Sequence, residues 1–532
     1  MIGIVHISIF LQTKCAIFAI EYLKSKPLIS LPMLSPWLVL ICIFLYFVIL
    51  WGIAWVTSRG ATNQSYFVGN KNSTWWVVAY GMIGTSLSGV TFMSVPGQVA
   101  TKHFAYFQIV IGYLIGYLVV AYILLPLYYR MNLTSIYSYL QDRFGGKSYT
   151  TGAAFFILSR TMGATLRMYL VINALQLFLL PDGLQYYAIT AFVIMLMILL
   201  YTYEGGVKSI VWTDLLQTTF MLLALVVVVG FIMASLGLNL SEVYQAFRNK
   251  GYTEIFMTDP LKGNYFLKQI LGGAFITITM TGLDQEMMQK NISCKNIGEA
   301  QKNMMSFSVI LVVVNFIFLL LGGLLYLYAE KNAISIPAMT DDLFPKLSLQ
   351  YLPPWVSIIF IIGLISALFP SADGALTALT ASFSIDILGL HKPGKYTEEE
   401  QKKTRYAVHL SFAVLFFVLV IIFKLLNQRA LIDILLEVAG YTYGPLLGLF
   451  MFGILTKHNV IDNRVPFVCF AAPMLCYLLN IIVNKPKWVV GSRLESILPA
   501  WSGTYTIGLE MLFINGMLTF AGLWLIRQKL KK

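Results

Sequence analysis

Hydrophobic runs dominate this chain. A helix that crosses a bilayer needs about 20 mostly apolar residues, and stretches of that kind recur thirteen times. They lie near 37–57, 76–98, 106–128, 151–180, 184–203, 209–236, 267–287, 306–329, 354–387, 407–425, 430–455, 465–482 and 509–527. The longest polar gap, about 237–266, is too short for a soluble domain. The pattern predicts an all-α membrane protein of about 13 spans, embedded in lipid. Residues 1–32 are apolar but carry Lys14 mid-run and no small-residue cleavage site. That is a poor signal peptide. The reading preferred here is an N-terminal extension ahead of a true start at Met33, with an extra helix as the other.

Composition agrees. Of 532 residues 58% are hydrophobic and 11% charged, against about 25% charged in soluble domains. So few charges exclude an ordinary cytosolic enzyme, a nucleic-acid binder and a disordered chain. The net charge of +13 is spread through short segments between apolar runs. Sorted by alternate loops, Lys and Arg divide 20 against 11. The richer side is expected in the cytoplasm of the cell membrane. Loops near 286–305 and 388–406 and the C-terminus then lie inside, and 237–266 outside. Cys15, Cys42, Cys294, Cys469 and Cys476 form no CxxC pair, and read as apolar packing residues.

Most spans are plain Leu/Ile/Val/Phe helices; three are not. The second, Met82–Gly97, crowds Gly, Ser and Thr at the midplane, and the seventh, Phe275–Glu286, is Thr-rich and interrupted by Gly282, Asp284 and Glu286. The ninth holds Pro370 within Ser366–Gly374. Unsatisfied backbone in hydrocarbon costs several kcal/mol, so broken helices survive inside protein or beside a wet cavity. Small residues also let helices pack closely. Two interrupted spans five apart, however, are what an inverted five-plus-five repeat with a central site requires. Pro370 cannot donate to the Ser366 carbonyl, so a bend is expected there. Its tilted carbonyls, with the Ser371 hydroxyl, suit a small hard cation.

Several motifs resemble the sodium/solute symporter family, whose members share the LeuT fold. They are Asn63-Gln64-Ser65-Tyr66-Phe67-Val68-Gly69-Asn70 before Trp75-Trp76, Gly205–Gln217 with its Trp212-Thr213-Asp214, and Tyr443–Phe450. The resemblance implies a leading helix and loop at 33–74 and inverted repeats at 75–236 and 237–456. C-terminal helices and a basic tail occupy 457–532. It also implies a Na⁺ site formed by the carbonyls of Gly84, Leu87 and Ala367 with positions 370 and 371. Ser371 supplies a hydroxyl there; Pro370 departs from the commoner Ser and offers only its carbonyl. Asp214 matches the acid of the fifth core helix, and Asp373 falls where a hydroxyl of the family's second sodium site is expected. The two acids are therefore expected to hold a second Na⁺ or a proton, unless Asp373 is paired locally, with Arg160 for instance.

The substrate lining that the resemblance implies is Ser88, Thr91, Thr277, Met280 and Thr281, too apolar for a sugar. Arg160 and Arg167 lie seven apart on one helical face. A guanidinium inside a span is either paired or functional, and it grips a carboxylate bidentately. A small organic anion held partly by Arg167 is the substrate expected. The favoured function is a Na⁺-driven symporter working by alternating access. A proton-coupled carrier is the alternative, through Asp214, Asp373 or Glu437. A transporter-like sensor would need an appended output domain. A membrane enzyme would need a motif such as HExxH or GxSxG, and neither occurs.

Overall fold

The computed structural model describes residues 35–59, 73–133, 135–179, 181, 183–202, 206–390, 396–426, 431–486, 489–490, 492, 495–499 and 501–528. The 1–32 extension, the Asn63–Asn70 motif, Gly205 and part of the 388–406 loop lie outside them. In chain order the principal helices are α1 (Pro36–Ser58), α2 (Trp75–Ser86), α3 (Gly89–Gly97), α4 (Tyr106–Met131), α5 (Gly146–Leu179) and α6 (Leu184–Thr202). Next come α7 (Gly206–Leu236), α8 (Leu240–Asn249), α9 (Phe266–Thr277), α10 (Gln285–Ile292), α11 (Ile297–Lys331) and α12 (Pro354–Ser382). The last are α13 (Glu398–Leu426), α14 (Leu431–Thr442), α15 (Gly444–Leu455), α16 (Val465–Asn484) and α17 (Glu510–Leu525). Two-residue strands at Asn459–Val460 and Arg527–Gln528 pair antiparallel at one end of the bundle.

Each apolar stretch meets a helix, but the count differs from the thirteen expected. Among the described residues nine helices are long and apolar enough to cross alone, and three bent pairs bring the total to at most 12. The remaining stretch is α17, whose 16 residues rise about 24 Å, short of the roughly 30 Å hydrocarbon core. The polar gap 237–266 contains α8, closed by a capping box in which Asn239 and Glu242 bond each other's backbone N–H.

Burial sorts the helices into layers. In α5 and α12, 78% of the apolar window is buried; in α1 it is 22%. The first two are inner walls, whereas α1 shows Trp37, Phe44, Trp51 and Trp55 to lipid. On the other side α4 and α9 meet through glycines. A Cβ on Gly112 would strike the Ile270 carbonyl, and one on Gly273 the Ile109 carbonyl. Small residues let the two backbones touch.

Two of the three predicted breaks are present: α2 and α3 meet at 54°, and α9 with its π-turn Ile278–Gly282 meets α10 at 65°. The third is not where the sequence suggested. α12 runs unbroken through Pro370, clamped by α1, α2, α5 and α7. Ser366, whose carbonyl loses its helical donor, instead ties its hydroxyl to Tyr46 Oη at 2.6 Å. The third break lies between α14 and α15, at 45°, in a span read as plain. Pro445 cannot donate to the Tyr441 carbonyl. Asn515 Nδ2 of α17 does so at 2.9 Å and also serves the Gly440 carbonyl at 3.0 Å. Gly444 is obligatory there, because a Cβ would overlap the Asn515 side chain.

Candidate functional site

At the first break the last helical bond runs from Leu87 N–H to the Ile83 carbonyl at 2.8 Å, and α3 begins with Phe92 N–H to Ser88 at 3.0 Å. Leu87 and Ser88 have ψ of 74° and 175°, well outside helix. The carbonyls from Gly84 to Leu87 are therefore left without helical donors, as at any helix C-terminus, and carry its negative partial charge. Gly84 packs on α12: its Cβ position lies 3.6 Å from Pro370 Cγ, and its N–H donates to Thr218 Oγ1 at 3.1 Å. Ser371 donates to the Leu368 carbonyl at 2.8 Å, which leaves its hydroxyl lone pairs free to accept. The break thus brings Gly84 and Leu87 to the stretch of α12 that holds Ala367, Pro370 and Ser371, all three buried.

A cavity of about 80 Å³ adjoins the break, room for several waters. All six expected substrate residues line it: Ser88, Thr91, Arg167, Thr277, Met280 and Thr281. The π-turn after α9 carries the last two, in keeping with the frequency of such turns at functional sites. Arg167 is 7% exposed, and its Nε and Nη1 have no hydrogen-bond partner among the described residues. Arg160, two turns away on the same face, is paired: it meets Glu286 and, at 3.8 Å, Asp284. Arg160 is thus a guanidinium paired to acids of a neighbouring helix, whereas Arg167 has no such ion pair among the described residues. Sequence reasoning missed Tyr106, Tyr113 and Tyr117 of α4 and Asn315 of α11, which complete the wall. The tyrosine spacing, 7 then 4, was a legible one-face pattern.

It also missed a buried ionic chain. Lys290, counted above among cytoplasmic loop charges, is only 3% exposed. It sits on α10, because the seventh span runs past Glu286 to Ile292. Its Nζ donates to Thr85 Oγ1 at 2.6 Å, Asp214 Oδ2 at 2.7 Å and Glu286 Oε1 at 3.3 Å. Glu286 passes the chain to Arg160, and Asp284 closes it on Tyr443 Oη at 3.1 Å. Asp373 accepts from Tyr201 Oη at 2.6 Å and from Gly374 N–H at 2.5 Å, not from Arg160. Gly374 makes room for the Glu286 carboxylate, which a Cβ would strike. Glu437 stands apart from these acids, in a second cavity.

That second cavity, about 480 Å³, is lined by Gln98, Lys102, Asn264, Asp433, Glu437 and Asn484 among others. It shares Tyr106, Ile432 and Leu436 with the central one. Three apolar or aromatic side chains therefore separate a polar vestibule from the inner cavity. Across the vestibule, Lys102 pairs with Asp433 at 2.7 Å.

Discontinuous helices crossing at a small polar cavity, with a vestibule behind one thin wall, define a secondary transporter of the inverted-repeat class. Known proteins agree. The model of the family described as "Sodium:solute symporter family" matches residues 66–460. The sodium/sialic acid symporter SiaT of Proteus mirabilis is 24% identical over 412 residues, covering 75% of this chain and 81% of that protein. The sodium-coupled monocarboxylate transporter 1 of Mus musculus is 27% identical over 454 residues, covering 82% and 70%. A Na⁺-coupled sialic acid symporter solved in a substrate-bound outward-open state superposes with a TM-score of 0.77 at 20% identity, covering 92% of this chain and 99% of that one. The chain belongs to the sodium:solute symporter family. It is a multi-pass membrane transporter with the LeuT fold and not an enzyme, and its partners are Na⁺ and a small solute.

Proposed function

We propose that the protein imports a small organic anion together with Na⁺ across the cell membrane, by alternating access. The observation that carries the anion is Arg167, a buried guanidinium without a partner for Nε or Nη1 among the described residues, on the wall of the cavity at the first break. A buried charge left unpaired costs several kcal/mol; a carboxylate bound by that fork would remove the cost. Ser88, Thr91, Thr277 and Thr281 supply hydroxyls around it, and Met280 an apolar face. The Na⁺ site is the freed Gly84 and Leu87 carbonyls with Ala367, Pro370 and Ser371 of α12. Oxygen ligands of mixed type suit a hard cation, and the C-terminal end of α2 favours positive charge. Asp214 and Asp373 mark a second ion or proton position, their charges close enough to interact. The names of the two relatives fit this reading, since sialic acid and monocarboxylates are both organic anions.

Orientation follows from the basic residues. Removing Lys290 from the loop count leaves 19 against 11, which supports the reading that the loop after α10, the loop near 388–406 and the C-terminus lie inside. The vestibule with Lys102, Asn264 and Asn484 then opens outside. Proteoliposomes carrying the purified protein test the function. Uptake of short carboxylates should rise with an inward Na⁺ gradient and vanish when choline replaces Na⁺. Uptake that ignores Na⁺ and follows external pH would support the proton-coupled reading instead.

A further inference from the structure

Three carboxylates gather about one ammonium in the core. Asp214 comes from α7, Glu286 from α10 and Asp373 from α12. Lys290 lies against the first two at 2.7 and 3.3 Å, and its charge also reaches the third. Thr85 Oγ1 completes the cage at 2.6 Å. All five side chains are nearly inaccessible. The oxygens are those a free monovalent cation would use: two carboxylates and a hydroxyl, on three different helices. One ligand position is still open, since Asp214 Oδ1 is buried and accepts nothing among the described residues. Thr85 lies in the last turn of α2 beside Gly84 and next to the break at Leu87, so this cage and the Na⁺ site share a wall.

We propose that the Lys290 ammonium is a resident cation that occupies the second ion position, so that the transporter binds a single free Na⁺. The inference rests on the Na⁺-coupled reading above. Charge arithmetic supports it. Before substrate binds, the buried cluster holds four acids (Asp214, Asp284, Glu286, Asp373) and three bases (Arg160, Arg167, Lys290), a formal charge of −1 that one Na⁺ cancels. Without Lys290 the same cluster stands at −2 around an emptied oxygen cage. Adjacent buried carboxylates repel unless a cation separates them, and a neutral side chain at 290 leaves that task to solvent ions. The cage also accounts for an acid at position 373, where the family resemblance leads one to expect a hydroxyl. An acid beside a glycine admits the Glu286 carboxylate and balances a fixed ammonium, whereas neutral hydroxyls would leave it under-compensated.

The test is equilibrium binding of radiolabelled Na⁺ to the purified full-length protein, with Lys290→Gln and Lys290→Arg beside wild type. The expected result is one Na⁺ per wild-type molecule with a Hill coefficient near one. Lys290→Arg, which keeps the cation, should also bind one. Lys290→Gln should bind two, with a coefficient above one. Two Na⁺ per wild-type molecule would overturn the inference while leaving Na⁺ coupling intact. A folded Lys290→Gln variant that binds only one would overturn it as well. Wild type that binds no Na⁺ refutes the coupling reading and this inference together. Should Lys290→Gln not fold, the wild-type count and the Arg variant still decide.

Discussion

Replacing Arg167 by Met should stabilise the empty transporter and abolish its use of anions. The side chain is 7% exposed, and two of its three nitrogens bond to nothing among the described residues. Desolvating an ion costs several kcal/mol after relaxation, and here no carboxylate among the described residues forms an ion pair with it. Arg160, another guanidinium, lines the same cavity. A methionine of similar length fills the volume without the charge. The expected gain is on the order of 1–3 kcal/mol, read as a melting temperature raised by a few degrees in detergent with no substrate added. Transport should move the opposite way. A fork of two charge-assisted bonds contributes roughly 3–6 kcal/mol to an anion, so Arg167→Met should raise KM at least a hundredfold. Arg167→Lys keeps the charge but loses the fork, and should weaken uptake roughly ten- to a hundredfold. A Met variant that melts lower than wild type and still transports normally would refute the reasoning, since Arg167 would then be a structural residue with an unrecognised partner.

Ser371→Ala should weaken Na⁺ more than substrate, seen as a several-fold rise in the Na⁺ concentration for half-maximal uptake with substrate KM little changed; equal shifts would remove Ser371 from the ion site. Asn515→Ala should destabilise the fold by about 2–4 kcal/mol, because two buried carbonyls lose their donor, and a melting temperature within a degree of wild type would contradict the account of the α14/α15 bend. With one free Na⁺ and a monovalent anion the cycle is electroneutral, so an imposed membrane potential should leave initial uptake rates nearly unchanged; strong voltage dependence would mean a different charge stoichiometry. Single cysteines at Lys262 and Lys403 should react with an impermeant reagent in intact cells at the first position only, and labelling at the second would invert the topology.

The one-dimensional signals were legible because lipid imposes them. A span must be long and apolar, so the stretches emerge from residue runs alone, as do Gly and Ser at the α2/α3 break and Thr281-Gly282 before the second. The cavity lining came from the family resemblance, which carried its positions onto the residues around the two breaks. Whatever depended on partners far along the chain was not legible. Lys290 looked like a loop charge because Asp214, its counter-ion 76 residues away, is brought beside it only by packing α10 on α7. Arg160 and Arg167 are alike in sequence, and only the position of Glu286, 126 residues on from Arg160, separates the paired one from the free one. Proline behaved the same way. A lost N–H is a local fact, but whether it breaks a helix depends on what surrounds it. Pro370 sits in an unbroken helix among four neighbours, whereas Pro445 marks a 45° bend within a span, where Asn515 of a distant helix satisfies the carbonyl it abandons. Sequence determined where the chain crosses and where its backbone is weak; tertiary packing decided which charges are spent on each other and which remain for ion and substrate.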